Sequence, residues 1–358
     1  MQQVNFIVLA PLTFLCLCFS SCDGDNVSTM SSTSACPMPQ LCLTLEQFVA
    51  RANSYLNSSV SLSLSVTGNY TLGSGLVIQD VKKVIMFANI TKVQVTCNKS
   101  VNINFTNVND VEIRDLTFMS CQVNSVKNIT VTVQDCTFLG ETASQNHVTM
   151  LNLKGSSAII KGSTFVSNGS GFYHHNMSVI VSYNSSISIN ASTFTVVQGG
   201  VLLTERSTVN IADSKFCNSN AVVPQSNHQA LMKISKTTLK VSNSIISNNT
   251  RRIIMLAKDS NISIGNTKIS DNTGKFSVIC FVKVIANITG GNTFSNNNGS
   301  LLVMNSYVEF HRTNSFKSCM LKYNKRRLHL QAEGTITCLL YTSPSPRDAT
   351  LSRMPSSA

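Results

Sequence analysis

Acids, histidines and thiols are the side chains of this 358-residue chain that could do chemistry, and their spacing limits what that chemistry is. Asp115 and Asp135 each lie three residues before a phenylalanine, Phe118 and Phe138, in a phrase that recurs along the chain. If copies of that phrase stack, the two carboxylates come close enough to share a Ca²⁺ ion or a proton. The same place in other copies holds Gly162, Asp213, Asn243, Asn266 and Gly291. Those residues tolerate a left-handed backbone, so a corner is the better reading than a metal or acid pair. His174 and His175 have no acid recurring beside them and read as exposed loop residues. Neither a CxxC nor a Cys/His ligand spacing occurs, which leaves a zinc site without support. No catalytic residue, metal ligand or cofactor is assigned.

Thiols and glycan acceptors carry more information. The first 22 residues run through an apolar stretch from Phe6 to Phe19 and end in Ser20-Ser21-Cys22, as a signal peptide does. A lipidated Cys22 is the other reading of that end. Setting aside Cys16, Cys18 and Cys22 there, and Cys338 in the tail, eight of the 12 cysteines remain, an even number suited to an oxidising compartment. Cys36 and Cys42 bracket a Pro-Met-Pro turn as a small disulfide loop, and Cys97 and Cys121 stand about one repeat apart, where stacking would bring them into bridging range. Asn-x-Ser/Thr acceptors are frequent: Asn57, Asn69, Asn89, Asn98, Asn104, Asn128, Asn168, Asn176, Asn184, Asn190, Asn248, Asn261, Asn287 and Asn298. Together these features predict a secreted, extracellular or cell-surface glycoprotein.

What must position these groups is the phrase itself. Its large residue recurs as Phe118, Phe138, Phe165, Phe194, Phe216, Ile246, Ile269, Phe294 and Phe316, a coil-sized interval apart each time. Within Ala230–Asn249, three short stretches alternate apolar and polar residues and are separated by polar corners. One such coil cannot bury its apolar side alone, so neighbours must stack strand on equivalent strand. The expectation is an all-β, right-handed parallel β-helix, the hand following from the general preference for right-handed crossovers.

Stacking predicts ladders. The Phe/Ile column should form one continuous interior stack. Two residues earlier, Cys136, Ser163, Ser192, Ser214, Ser244, Thr267, Asn292 and Asn314 share its face and should hydrogen-bond along the axis. Three residues after the Phe, Asn168, Asn249, Asn272 and Asn297 are expected to occupy left-handed corners and to ladder with one another. At the start, Thr44-Leu45-Glu46-Gln47 reads as a capping box for a short N-terminal helix, with Phe48, Ala52, Tyr55 and Leu56 on its inner face, covering the first coil.

This pattern resembles the right-handed β-helix of the pectin-lyase-like superfamily, and Phe165–Asn168 and Phe294–Asn297 resemble the FxxN half of polymorphic outer-membrane-protein repeats, whose companion half is approached only by Gly199-Gly200-Val201-Leu202. A closer similarity is to β-helix ectodomains of marine invertebrates such as sponges, over roughly Cys36 to Cys319. The resemblance implies the fold. It brings no catalytic residue, because the paired-Asp, GHG-like and Arg-Lys motifs of the polygalacturonase and pectate-lyase branches are missing.

The expected organisation is a signal peptide over residues 1–22, a Ser/Thr-rich linker over 23–35, one β-helix domain over 36–337, and a foreign tail over 338–358. Cys338–Ala358 back-translates into a string resembling a transposase-type sequencing adapter, and such scars are excluded from fold reasoning. The tail holds Arg347, Arg353 and Asp348, so its removal takes the net charge only from +12 to +11. A basic rod suits acidic glycans. Its Lys and Arg residues are scattered singly except around Lys322, Lys325 and Arg326, without interleaved aromatics, so no nucleic acid is expected, and a membrane tether is left open. Two functions follow: a non-enzymatic scaffold for extracellular recognition or adhesion, or a carbohydrate-active β-helix enzyme acting as a polysaccharide lyase or hydrolase.

Overall fold

The structure, a computed structural model, describes residues 40–50, 60–88, 93–98, 101–140, 149–167, 178–197, 199–219, 230–311, 314–324, 328–330 and 336–342. The leader, the linker, Cys36 and the histidine pair lie outside these residues. The chain winds as a parallel β-solenoid in which each coil contributes one strand to each of three faces. The first face stacks strands such as Gln122–Val126, Leu151–Lys154, Ser178–Tyr183, Gly200–Glu205 and Ala230–Ser235. The second stacks Thr130–Gln134, Ser157–Lys161, Ser186–Asn190, Thr208–Ala212 and Thr238–Ser242. The third stacks Leu116–Met119, Thr137–Gly140, Thr164–Ser167, Thr193–Thr195 and Lys215–Cys217.

Alternation in sequence becomes alternation in burial. Ser61–Val66, with Leu62, Leu64 and Val66, buries every second residue, and Asn261–Gly265 buries Ile262 and Ile264. One interior runs the length of the stack. Each fully buried Phe contributes roughly 2–3 kcal/mol of transfer free energy relative to exposure. The Phe column is in register throughout: Phe118, Phe138, Phe165, Phe194 and Phe216 stack with ring centroids 5.0, 4.9, 4.7 and 4.8 Å apart, and the backbone register continues through Ile246, Ile269, Phe294 and Phe316. Stacked pairs of this kind add about 0.5–1.5 kcal/mol each.

The small column beside it forms the axial ladder. The Ser163 N–H donates to Ser192 Oγ at 3.2 Å, Ser192 N–H to Ser214 Oγ at 3.2 Å, and Ser214 N–H to Ser244 Oγ at 3.2 Å. Each hydroxyl in turn donates to the carbonyl two residues back, Ser214 Oγ to Ala212 O at 2.7 Å for example. A second ladder, not foreseen, runs through Ser185, Ser207, Thr237 and Ser260, where each N–H again donates to the hydroxyl of the next coil. Both satisfy backbone donors at corners where sheet pairing lapses.

The asparagine column corrects one expectation. Asn249, Asn272 and Asn297 are buried and do ladder, with Nδ2 of Asn249 donating to Asn272 Oδ1 and Nδ2 of Asn272 to Asn297 Oδ1, both at 3.0 Å. The left-handed residue, however, is the one before: Asn248 (φ 54°), Asp271 (φ 56°) and Asn296 (φ 52°). The inner amide is held by its neighbours, and the exposed residue ahead of it makes the bend. Asn168 lies outside the described residues. Two residues beyond Asn249, Arg251 is fully buried and donates from Nη2 to the Val197 carbonyl.

At the N-terminus, the helix spans Leu45–Ala50, and the Thr44 N–H donates to Gln47 Oε1 at 3.0 Å, one half of the capping box. Leu45 and Phe48 are buried beneath it, while Ala52, Tyr55 and Leu56 lie outside the described residues. The strand Gln40–Thr44 precedes it and pairs with Ser61–Val66, so the helix follows a first β rung instead of standing alone over the coil. At the other end, the strand Ile336–Thr342 pairs with Ser315–Asn324. Among the described residues no helix is long and apolar enough to cross a membrane.

Candidate functional site

The three faces meet at three long corners, and each corner is a column of left-handed residues. Between the second and third faces stand Asp115 (φ 58°), Asp135 (φ 51°), Gly162 (φ 60°), Asp213 (φ 50°), Asn243 (φ 48°), Asn266 (φ 48°) and Gly291 (φ 80°), as a corner reading requires. Asp135 does not face Asp115. Its Oδ2 accepts from Gln134 Nε2 at 2.9 Å, and its Oδ1 leans over the next coil, 2.1 Å from where a Cβ on Gly162 would be. Glycine at 162 leaves the room that the Asp135 carboxylate takes. Among the described residues no three His, Cys, Asp or Glu side chains converge as metal ligands would.

The corner between the first and second faces has a different character. Its left-handed residues are Lys127 (φ 65°), Asn128 (φ 53°), Gly155 (φ 61°), Asn184 (φ 49°), Arg206 (φ 52°), Lys236 (φ 49°), Asp259 (φ 49°), Lys283 (φ 54°) and Asn305 (φ 49°). Cations are poor choices for such a backbone, at about 1–2 kcal/mol each. The axial bonds hold them there: the Arg206 N–H donates to Ser235 O and the Lys236 N–H to Lys258 O, both at 3.0 Å. Lys154 and Lys258 end the adjoining strands of the first face, in register with Tyr183 and Ser235.

Six cations, Lys127, Lys154, Arg206, Lys236, Lys258 and Lys283, thus line one edge within seven successive coils, about 29 Å at the ~4.8 Å spacing of paired strands. Among the described residues of that stretch, Glu205 and Asp259 oppose them, Glu205 Oε1 lying 3.9 Å from Arg206 Nε. An exposed pair at that distance contributes little. Beside the cations, the first outward position of the second face is a column of hydroxyls, with Ser157, Ser186, Thr208 and Thr238 in mutual register. Corner and hydroxyls enclose an open groove of about 660 Å³ lined by Asn128, Asn184, Arg206 and Lys236. Exposed Tyr183 stands on one side of the edge, and on the other the hydroxyl column gives way after Thr238 to Asn261, exposed Ile285 and exposed Tyr307.

The sequence reading of scattered lysines missed this edge. Its signal is phase within the repeat: Lys127, Arg206, Lys236 and Lys283 each stand two or three residues ahead of the second-face strand that follows them. The cysteine reading fares otherwise. Cys97 and Cys121 form a disulfide with Cα atoms 5.0 Å apart, whereas only the backbone of Cys42, in the strand Gln40–Thr44, is described of the other pair. Cys136, Cys217 and Cys280 carry free thiols. Burial pushes Cys136 up to about 12 and Cys280 up to about 11.

Of the glycan acceptors, Asn69, Asn98, Asn128, Asn184, Asn190, Asn248, Asn261, Asn287 and Asn298 are exposed. Asn104 is half-buried and accepts from Asn124 Nδ2 at 2.7 Å. Asn57, Asn89 and Asn176, like Asn168, lie outside the described residues.

No protein-family model matches the chain, and no curated protein does. Among solved structures, it is similar to the A-module of the Azotobacter vinelandii mannuronan C-5 epimerase AlgE4, with 12% identity over 84% of this chain and 94% of that one at a TM-score of 0.25. It is also similar to the AlgE6 A-module from the same organism, with 10% identity over 81% of this chain and 82% of that one at a TM-score of 0.21.

Proposed function

We propose that this chain is a non-enzymatic extracellular or cell-surface β-helix scaffold of the pectin-lyase-like type, serving recognition or adhesion, and that its basic edge holds acidic polymers, acidic glycans foremost. One observation carries the reading: six cations share one edge beside a hydroxyl column, against two acids. A linear polyanion laid along the axis would meet a positive charge on nearly every coil, and its ring hydroxyls would find Ser157, Ser186, Thr208 and Thr238 as partners. Exposed cations of this kind supply modest energy singly and useful energy in a row.

The test is retention of the intact chain on immobilised heparin and alginate, against neutral dextran, as salt is raised. Retention on both acidic polymers, lost at high salt, with dextran ignored, is the expected result. Retention on none of them would remove the reading. Incubating the same polymers with the protein and sizing them afterwards separates the scaffold from the enzyme: the scaffold leaves their lengths unchanged, and a lyase or hydrolase shortens them.

A further inference from the structure

Two glycan acceptors, Asn128 and Asn184, stand in the left-handed column of the basic edge itself, both exposed and both lining the groove. Asn128 follows Lys127 directly, and its N–H donates to Gly155 O at 2.7 Å, which places it against the coil of Lys154; Asn184 stands one coil short of Arg206, its N–H donating to Glu205 O at 3.1 Å. We propose that N-glycans on Asn128 and Asn184 mask the Lys127–Lys154 end of the edge against polyanions, an inference that rests on the edge being a polyanion site. The modification is transfer from a lipid-diphosphate-linked oligosaccharide supplied by the secretory pathway. The Asn Nδ2 bonds to the sugar C1, the C1–O bond to the diphosphate breaks, and the amide proton is lost as the lipid diphosphate departs. A glycan at such a corner is bulky and polar and projects into the same solvent that a ligand would occupy. Another exposed acceptor, Asn261, stands beside the far stretch in register with Thr238, so removing Asn128 and Asn184 alone isolates the Lys127–Lys154 end.

The experiment compares the full chain made in a glycosylating secretory host with the same chain from a non-glycosylating host, using heparin as probe and mass mapping of glycopeptides for occupancy. Loss of two exposed ion pairs corresponds to about tenfold in Kd. The unglycosylated chain is expected to bind heparin about tenfold more tightly, and N128Q/N184Q from the glycosylating host to regain that affinity. N128Q/N184Q made in the non-glycosylating host should bind heparin as its parent does, which shows that the variant folds and that the difference lies in the two glycans. Equal affinity with both asparagines occupied, or either asparagine found unmodified in the glycosylating host, overturns the proposal. Failure of the unglycosylated chain to bind heparin overturns the reading of the edge, and the masking with it.

Discussion

Phe194 sits fully buried between Phe165 and Phe216, its ring 4.7 and 4.8 Å from theirs. Phe194→Asp places a charge inside the apolar stack, at a cost of about 4 kcal/mol or more. Phe194→Leu keeps the apolar contact and loses the stacking, about 1–2 kcal/mol. Thermal melts of the two variants should therefore fall in that order below the parent, and coincident melts would mean that the column faces solvent. The buried thiols add a pH signature. Cys136 and Cys280 hold their protons to about 12 and about 11, above the ordinary thiol value, because burial disfavours the thiolate. Below an ordinary thiol value of about 8.5 the two thiols are neutral in both folded and unfolded chains and confer no pH dependence. As pH rises past that value the unfolded chain sheds its protons first, so their contribution to stability is lost toward the folded values. Native labelling with a thiol reagent at pH 8 should accordingly modify half-buried Cys217 and spare Cys136 and Cys280. Rapid labelling of Cys136 would contradict the packing described.

Strands and ladders were legible from the sequence because each rests on a short-range rule: period-two alternation for the strands, identity of residue type across coils for the ladders. Asn249, Asn272 and Asn297 show where that legibility stops. Their ladder could be anticipated from repetition, but the bend falls on Asn248, Asp271 and Asn296, since a buried amide held by two axial bonds leaves the exposed residue ahead of it to adopt positive φ. The second hydroxyl ladder was missed because Ser and Thr abound in this chain, and nothing local separates Ser207 from an ordinary turn serine. The ladders are also where an element-level prediction belongs. Ser214→Ala removes the acceptor of the buried Ser192 N–H and should cost about 1–3 kcal/mol. Ser263→Ala, on the outward side of Asn261–Gly265, should change stability by about 0.5 kcal/mol at most. Urea titration of both variants checks the contrast; equal losses would deny the ladder its role.

At the scale of the molecule, the solenoid converts phase within a repeat into position around a prism, and that conversion hid the basic edge. Coil lengths vary, so Lys127, Arg206, Lys236 and Lys283 share no fixed spacing in sequence, yet backbone bonds align them on one corner. The acids Asp115, Asp135 and Asp213 align on another corner by the same means. Net charge alone could not distinguish a uniformly basic rod from one with a basic edge. The most direct test of that edge therefore moves equal charge from two places. Arg206→Gln/Lys236→Gln empties the centre of the edge, while Lys215→Gln/Lys268→Gln removes the same charge from the outward column of the third face. Heparin affinity measured at fixed salt should fall about tenfold for the first pair and stay within about twofold for the second. Equal losses in the two pairs would show that binding follows net charge alone, and the edge would have no special part in it.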